Sequence, residues 1–546
     1  MGERMPVIDI RLDELVRLAG INRDSDWFAS VIPMTGASFE GIEADCMRFE
    51  FFPNRPDHYS VEGIARTLSF LHGNRKVRQY DVKTGAINLT VDRSVEAVRP
   101  VIVCAVARHV DLSNGALRSL IELQEKLHLT VGRRRRKVSI GLHNVRTVKP
   151  PFTYAAMAAD EVRFTPLGMD EELSLGDIVL KHEKGREYGQ IVGQGPYPVL
   201  ADANGAVLSM PPIINGTVTV LDENTRDMFI DVTGTSRTAC AGVLNILCSN
   251  LADRGASIES VSILRGDDSS TSPDMSFRRM QTTSRRINAV TGIKLTDDEN
   301  AEHLRRMGHS AEPDGGFITA GVPPYRMDVL HEVDLAEDIA IAHGFESFGK
   351  SMPAHQTNGE LLPSTKLSDV LSELMSGYGY IHCITLLLAS VRSNFKMMRT
   401  EPTGVVRVLN PVTEDTEIMR TSLLPGLFRL LEANKHNELP QRVFEIGHVQ
   451  TPERRLFLAS LNTHPRATFS ESKSLIDAIG RDLRLNLTYS ESTDPRFIEG
   501  RQMRISEGVE AIGYVGEIHP EVITNFNLFN PVVGLELDVT RIQLLR

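Results

Sequence analysis

Four carboxylates stand close together in the sequence: Asp328, followed by Asp334, Glu337 and Asp338 in HEVDLAEDIAIAHG (331–344). Positions 334, 337 and 338 are spaced i, i+3 and i+4, so on a helix their carboxylates share one face, and Asp328 lies on the extended segment entering it. Hard oxygen donors at this density suit Mg²⁺, which takes one or two carboxylates and keeps several waters. The same acids in a first helical turn also complement the helix dipole with no metal at all. A second candidate is Asp231 in FIDVTGT (229–235), where a lone carboxylate among apolar strand residues is costly unless it binds something. FIDVTGT and LSMPPIING (208–216) equally carry the Pro, Gly, Asn and Asp of tight turns, where such residues serve geometry alone. The densest basic run, RRRRK at 133–137, suits either RNA phosphates or a solvated loop.

The commonest sequence-readable ATPase, hydrolase and zinc-protease sites are missing. There is no GxxxxGK[ST], GxSxG or HExxH pattern, and Cys46, Cys104, Cys240, Cys248 and Cys383 lie too far apart for a zinc site. That cysteine usage predicts a reduced, cytoplasmic chain. The N-terminus MGERMP has no apolar core for a signal peptide, and the most apolar run, Ile384 to Val391, falls far short of the ~20 residues that span a bilayer. No membrane association is expected. A net charge of −11 argues against a general nucleic-acid coat.

The elements that must position these residues follow from length and pattern. At 546 residues the chain predicts several domains. VIDIRLDELVRLAG reads as a strand and a helix stopped by Gly20, and FFPNRPDHYSVEG as an extended turn before a helix capped by Ser60. Short β-like runs broken by Gly and Pro fill about 86–270, which predicts a mixed α+β domain. From Phe277 to Gly349, RRINAVTG, AEHLRRMG and EVDLAEDIAIAHG each close on a glycine, predicting a helical module. SMPAH reads as a linker, and the remainder alternates helices with strands, as in an antiparallel sheet with packed helices.

Nine segments in order give the chain a wider resemblance: PNRPDHYSVEG (53–63), SIGLHNV with KPPFTY (139–154), HEKGREYG (182–189), LSMPPIING, FIDVTGT, PPYRMDVLHEVDLAEDIAIAHG (323–344), MRTSLLPGL (419–427), ELPQRVFEIG (438–447) and GYVGEIHPEV (513–522). Together they resemble the β subunits of phenylalanyl-tRNA synthetases of the archaeal and eukaryotic type. The inserted oligonucleotide-binding domain and the C-terminal anticodon-binding domain of the bacterial form are not seen.

The resemblance implies an α+β multidomain fold: an N-terminal αβ domain (1–85), a mixed α/β editing-like domain (86–270), a small helix-rich module with the acidic cluster (271–349), and a class II synthetase-like antiparallel sheet domain without catalytic motifs (350–546). It implies that Asp328, Asp334, Glu337 and Asp338 bind Mg²⁺ in a site shared with an α subunit. Asp231 and Thr233 become candidates to bind the tyrosine hydroxyl or position the attacking water in an editing site, needed because an apolar pocket rejects one extra hydroxyl only by about 10². In the last domain an active class II strand carries Arg-x-Glu, whereas this chain reads VFEIGHV with Phe444 and Glu445, and VVGLELDV replaces the Gly-rich Glu-Arg motif. No arginine is expected to clamp a triphosphate there, so adenylate chemistry is assigned to α. The implied assembly is a cytoplasmic heterotetramer of two α and two β subunits that uses ATP and Mg²⁺ to charge tRNA(Phe). A free-standing hydrolase of mischarged tRNA is disfavoured by the synthetase-like domain, and a non-catalytic RNA scaffold by the acidic balance.

Overall fold

The computed structural model describes residues 6–43, 46–113, 115–350, 352 and 357–545; of MGERMP and SMPAH only Pro6 and Met352 lie among them. The chain divides into two compact units, Met1–Met352 and Pro353–Arg546.

The first unit opens as its sequence predicts, with strand Val7–Arg11 and helix Leu12–Ala19, which Gly20 ends in the left-handed conformation at φ +66°. Val7–Arg11 joins Cys46–Phe51 and Ala37–Glu43 in an antiparallel sheet with Cys46–Phe51 central. Helix Val61–Leu71, capped by Ser60, packs nearly every residue inward. No core boundary falls near position 85: one hydrophobic cluster runs from Ile8, Phe49 and Leu68 through Ile140 and Ile230 to Tyr325. The expected N-terminal domain therefore shares its core with the middle of the chain. That middle is an eleven-stranded sheet in which Asp227–Gly234 lies antiparallel between Val101–Arg108 and Val138–Asn144. Helix Arg237–Asp253 covers it, and Phe229 enters a second core with Phe152 and Tyr154.

Residues 278–343 form a smaller core of their own around Ile287, Leu304, Ile318 and Leu335. The three expected helices are present as Ser284–Thr291, Asp297–Arg306 and Glu332–His343. They pack on an antiparallel sheet of Arg278–Thr283, Phe317–Val322 and Ser310–Asp314, so this module is not purely helical. Its short strands alternate too few apolar residues to stand out in sequence.

The second unit is a seven-stranded sheet in the order Ile381–His382, Gln441–Thr451, Glu453–Thr463, Val532–Asp538, Glu510–Ile518, Phe497–Glu507, Leu487–Glu491, with only the first pair parallel. Both faces are covered. Phe444, Leu458 and Leu535 pack beneath helices Pro363–Gly377 and Phe469–Asp482, while Val443 and Leu461 pack against helix Leu424–Ala433. Adjacent residues 443 and 444 go to opposite cores, as the two-residue period of a strand requires.

Candidate functional site

A cavity of about 270 Å³ opens in the first unit between the helix Ala116–Leu129 and the segment 209–215. Pro211, Pro212, Ile213 and Ile121 give it apolar walls, and Ser139, Gly141, Asn215 and Asp231 add polar groups. Residues of LSMPPIING and Asp231 of FIDVTGT lie together on its wall. Ser209 Oγ, buried on the cavity wall, has no hydrogen-bond partner among the described residues, a position in need of an explanation such as a ligand.

Asp231 is 1% exposed, and its Oδ2 lies 2.7 Å from His143 Nε2; the other ring nitrogen of His143 lies 2.8 Å from Thr219 Oγ1. Gly141 sits directly opposite Asp231 on the neighbouring strand, and His143 follows two residues on, so both belong to the same face. Thr233 is placed differently. Its hydroxyl accepts from Arg99 Nε at 2.9 Å and pairs with Ser139 Oγ at 2.9 Å inside the protein, and it is not among the cavity-lining residues. Thr233 thus serves the buried Arg99 network, and Ser139 is the hydroxyl that reaches the wall.

The basic run resolves into unlike residues. Arg135 is buried on the cavity wall, donates to Pro212 O, Ile213 O and Glu125 Oε1, and stacks over Tyr188. Arg133, Arg134 and Arg136 are exposed. Residues 133, 134 and 135 all take left-handed backbone, at φ +49°, +54° and +64°. Such a conformation costs a non-glycine residue roughly 1–2 kcal/mol, so three in succession persist only where the surroundings fix them. Glu125 and His128 were missed by sequence reasoning. Burial alone would raise the Glu125 carboxyl, but its hydrogen bonds and charge interactions with His128 and Arg135 pull it down to about 2. His128 accepts from Ile140 N–H on Nε2, and burial holds it below the usual imidazole range. The i, i+3 spacing of Glu125 and His128 was visible, but nothing in it pointed to Arg135 or to the cavity they share.

The acidic cluster is divided among protein partners. Arg326 grips Asp328 through two nitrogens at 2.9 and 2.7 Å and donates to Asp338 Oδ1 at 3.0 Å; His309 Nε2 lies 2.6 Å from Asp338 Oδ2. Burial would raise the Asp338 carboxyl, yet Arg326 and His309 hold it far below its ordinary value. Asp334 Oδ2 accepts from the N–H groups of Leu330 and His331, both at 2.7 Å, and so caps its own helix. Glu337 is exposed, and its carboxyl is raised by partial burial and by repulsion from Asp338, Asp328 and Asp334. No three His, Cys, Asp or Glu side chains converge as a metal cage among the described residues. Arg326 and His309 thus engage Asp328 and Asp338, while Glu337 with Asp334 is the part of the cluster left to suit an ion taking few protein ligands.

The second unit holds a wider cavity of about 810 Å³, lined by Arg455, Arg496, Arg504 and Arg541, none of which belongs to VFEIGHV or VVGLELDV. Three of the four are compensated: Arg496 engages Asp494 and Glu536, while Arg455 and Arg541 engage Asp538. On the strand that reads VFEIGHV, Glu445 is ion-paired with Arg420 at 2.7 Å and accepts from Thr385 at 2.6 Å. No helix among the described residues is long and apolar enough to cross a membrane.

Residues 280–345 match the model of the tRNA synthetase B5 domain, and residues 349–539 that of the phenylalanyl tRNA synthetase beta chain CLM domain. The chain is 40% identical over 543 residues to the phenylalanine–tRNA ligase beta subunit of Methanococcoides burtonii, across 98% of this chain and 100% of that one. It is 41% identical over 542 residues to the beta subunit of the same ligase from Archaeoglobus fulgidus, across 98% of each. The crystal structure of an N-terminal fragment of the phenylalanyl-tRNA synthetase beta-subunit from Pyrococcus horikoshii aligns with a TM-score of 0.60 and 34% identity, covering 62% of this chain and 100% of the fragment.

Proposed function

Because the chain belongs to the family of archaeal-type phenylalanine–tRNA ligase beta subunits, we propose that it works in a cytoplasmic ligase of two alpha and two beta subunits, and that its first unit hydrolyses tyrosine mischarged onto tRNA(Phe). The alpha subunit forms phenylalanyl-adenylate from ATP with Mg²⁺ and charges the tRNA. In support, the arginines lining the cavity of the second unit are largely neutralised by Asp494, Glu536 and Asp538, which leaves little positive charge to stabilise a triphosphate. The exposed apolar side chains Ile384, Leu386, Leu409 and Val412 on that unit are consistent with a protein partner.

The observation that carries the editing reading is Asp231 on the cavity wall, buried among apolar residues and held by His143. A carboxylate has about four acceptor positions, so one engaged by His143 still has capacity for a phenol O–H. Tyrosine satisfies that acceptor and phenylalanine does not. A site built to bind a hydroxyl rejects the analogue lacking it by 10⁴–10⁵, far beyond what an apolar pocket achieves. Water then cleaves the ester, releasing tyrosine and a tRNA with a free terminal hydroxyl. At the acidic cluster, Glu337 and Asp334 are the residues that would hold Mg²⁺, while Asp328 and Asp338 fix Arg326. The test of the editing reading uses the alpha/beta complex with tyrosyl-tRNA(Phe): Asp231→Ala should slow deacylation at least a hundredfold and leave phenylalanine charging unchanged. Unaltered deacylation would show Asp231 to be a structural strand residue.

A further inference from the structure

The turn at residues 132–137 carries more than its backbone needs. Left-handed φ at 133, 134 and 135 would on conformational grounds favour glycine or asparagine at each position, yet all three are arginine. The turn is held in place: Arg133 N–H donates to Thr130 O at 3.0 Å, Arg135 N–H to His128 O at 3.1 Å, and Lys137 N–H to Gly132 O at 2.8 Å. Two buried arginines anchor it from within. Arg99 donates to the carbonyls of Arg135 and Arg136, and Arg135 itself points into the cavity wall and bonds Pro212 O and Ile213 O. Between and beside these anchors the backbone turns Arg133, Arg134 and Arg136 outward. They follow directly on the helix Ala116–Leu129, whose Ile121, Gln124, Glu125 and His128 form one wall of the cavity. In a chain of net charge −11 such a concentration of positive charge is local and singular in the sequence.

From this geometry we propose that Arg133, Arg134 and Arg136 form a phosphate clamp for RNA at the rim of the cavity, gripping the strand whose aminoacylated 3′ end lies inside. The assignment rests on tRNA being the ligand of that cavity. Its occupant is an RNA backbone and not an acidic protein: the arginines are fixed in spacing by the anchored turn, adjoin a cavity sized for one aminoacyl group, and meet the strand that must lead into it. Arginine's planar fork suits phosphate oxygens. Arg135 and Arg99 are positioning residues that act only through the turn.

The experiment measures binding separately from hydrolysis. The full chain in its alpha/beta complex is titrated with an RNA hairpin of acceptor-stem length bearing a single-stranded 3′ end, over a range of salt concentrations. The triple variant Arg133→Gln, Arg134→Gln, Arg136→Gln should bind about tenfold more weakly at low salt. Its log–log salt dependence should be shallower by about 2 to 3, since each lost phosphate contact removes roughly 0.7 to 0.9 from the slope. A second variant, Arg133→Gly with Arg134→Gly, relieves the left-handed backbone; it should be at least as heat-stable as the parent and still bind weakly, which separates the clamp from misfolding. Control changes of the exposed Arg93, Arg279 and Arg285 to Gln remove the same charge elsewhere on the unit. Affinity and slope that stay at the parental values, or that fall equally in the control, would overturn the clamp. Because hydrolysis is not the readout, loss of RNA binding with an inactive Asp231→Ala background still supports the clamp, and failure of the editing reading shows instead as unaltered deacylation in that variant.

Discussion

Gly141 stands directly opposite Asp231 on the adjacent antiparallel strand, and a Cβ at residue 141 would lie 1.9 Å from Asp231 Oδ2 and 2.6 Å from His143 Nε2. The absence of a side chain at one position creates the space that the carboxylate and imidazole fill. Gly141→Ala should therefore push Asp231 out of register, lower hydrolysis of tyrosyl-tRNA(Phe) at least tenfold, and cost about 1–3 kcal/mol of stability by overpacking. Steady-state deacylation and thermal melting check both, and phenylalanine charging should be unaffected.

The divided acidic cluster separates two variants that would be equivalent if all four acids bound one ion. Asp338→Asn breaks a buried pair with Arg326 and should destabilise the chain by about 3–5 kcal/mol whatever the Mg²⁺ concentration. Glu337→Gln removes an exposed, repelled carboxylate and should leave melting unchanged while raising the Mg²⁺ needed for assembly with alpha. Equal Mg²⁺ dependence in parent and Glu337→Gln would remove the metal from the cluster.

His58 gives the first unit a pH dependence. Its Nε2 lies 2.7 Å from Arg55 Nη2 and 2.8 Å from Thr67 Oγ1, and burial together with the Arg55 charge pushes the imidazole down to about 3. In the unfolded chain it titrates near 6.5. The depressed native value means that its contribution to stability is complete above pH 6.5 and declines as acid protonates the unfolded state alone. From pH 6.5 to 5 this amounts to about 2 kcal/mol. Denaturant titrations across that range should show the loss in the parent and a shallower one in His58→Gln.

The second unit should support no adenylate formation by itself. With ATP, phenylalanine and Mg²⁺, the isolated chain should give no pyrophosphate exchange above background, because Asp494, Glu536 and Asp538 already draw on the cavity arginines. Robust exchange would return that chemistry to this chain.

How far the site could be read from sequence depended on range. Asp231 announced itself as a charged residue in an apolar strand, and the Pro-Pro turn that faces it was equally visible. Its partner His143 is 88 residues away, and only the strand register brings it alongside. The four acids were visible as a helical face, but the electrostatics that divide them come from Arg326 and from His309, which lies 29 positions before Asp338. A helical wheel has no access to such partners. The basic run misled in another way: five like residues conceal that Arg135 points inward while its neighbours do not, a distinction set by left-handed backbone that arginine seldom adopts. In the 278–343 module the helices were legible from their glycine stops, whereas the sheet beneath them was not.

The shared core of the first unit also sets a schedule for its birth on the ribosome. Arg66, on the helix Val61–Leu71, is ion-paired with Asp253 and donates to Asn250, partners that follow 187 and 184 residues later. At 5–20 residues per second, about 10–40 s pass before they are made. Throughout that interval the apolar faces of Phe49, Phe51 and Leu68 lack the rest of their core. The nascent amino-terminal segment is therefore a natural client for chaperones, and truncations that end before residue 253 should be insoluble even though they contain every strand of the first small sheet.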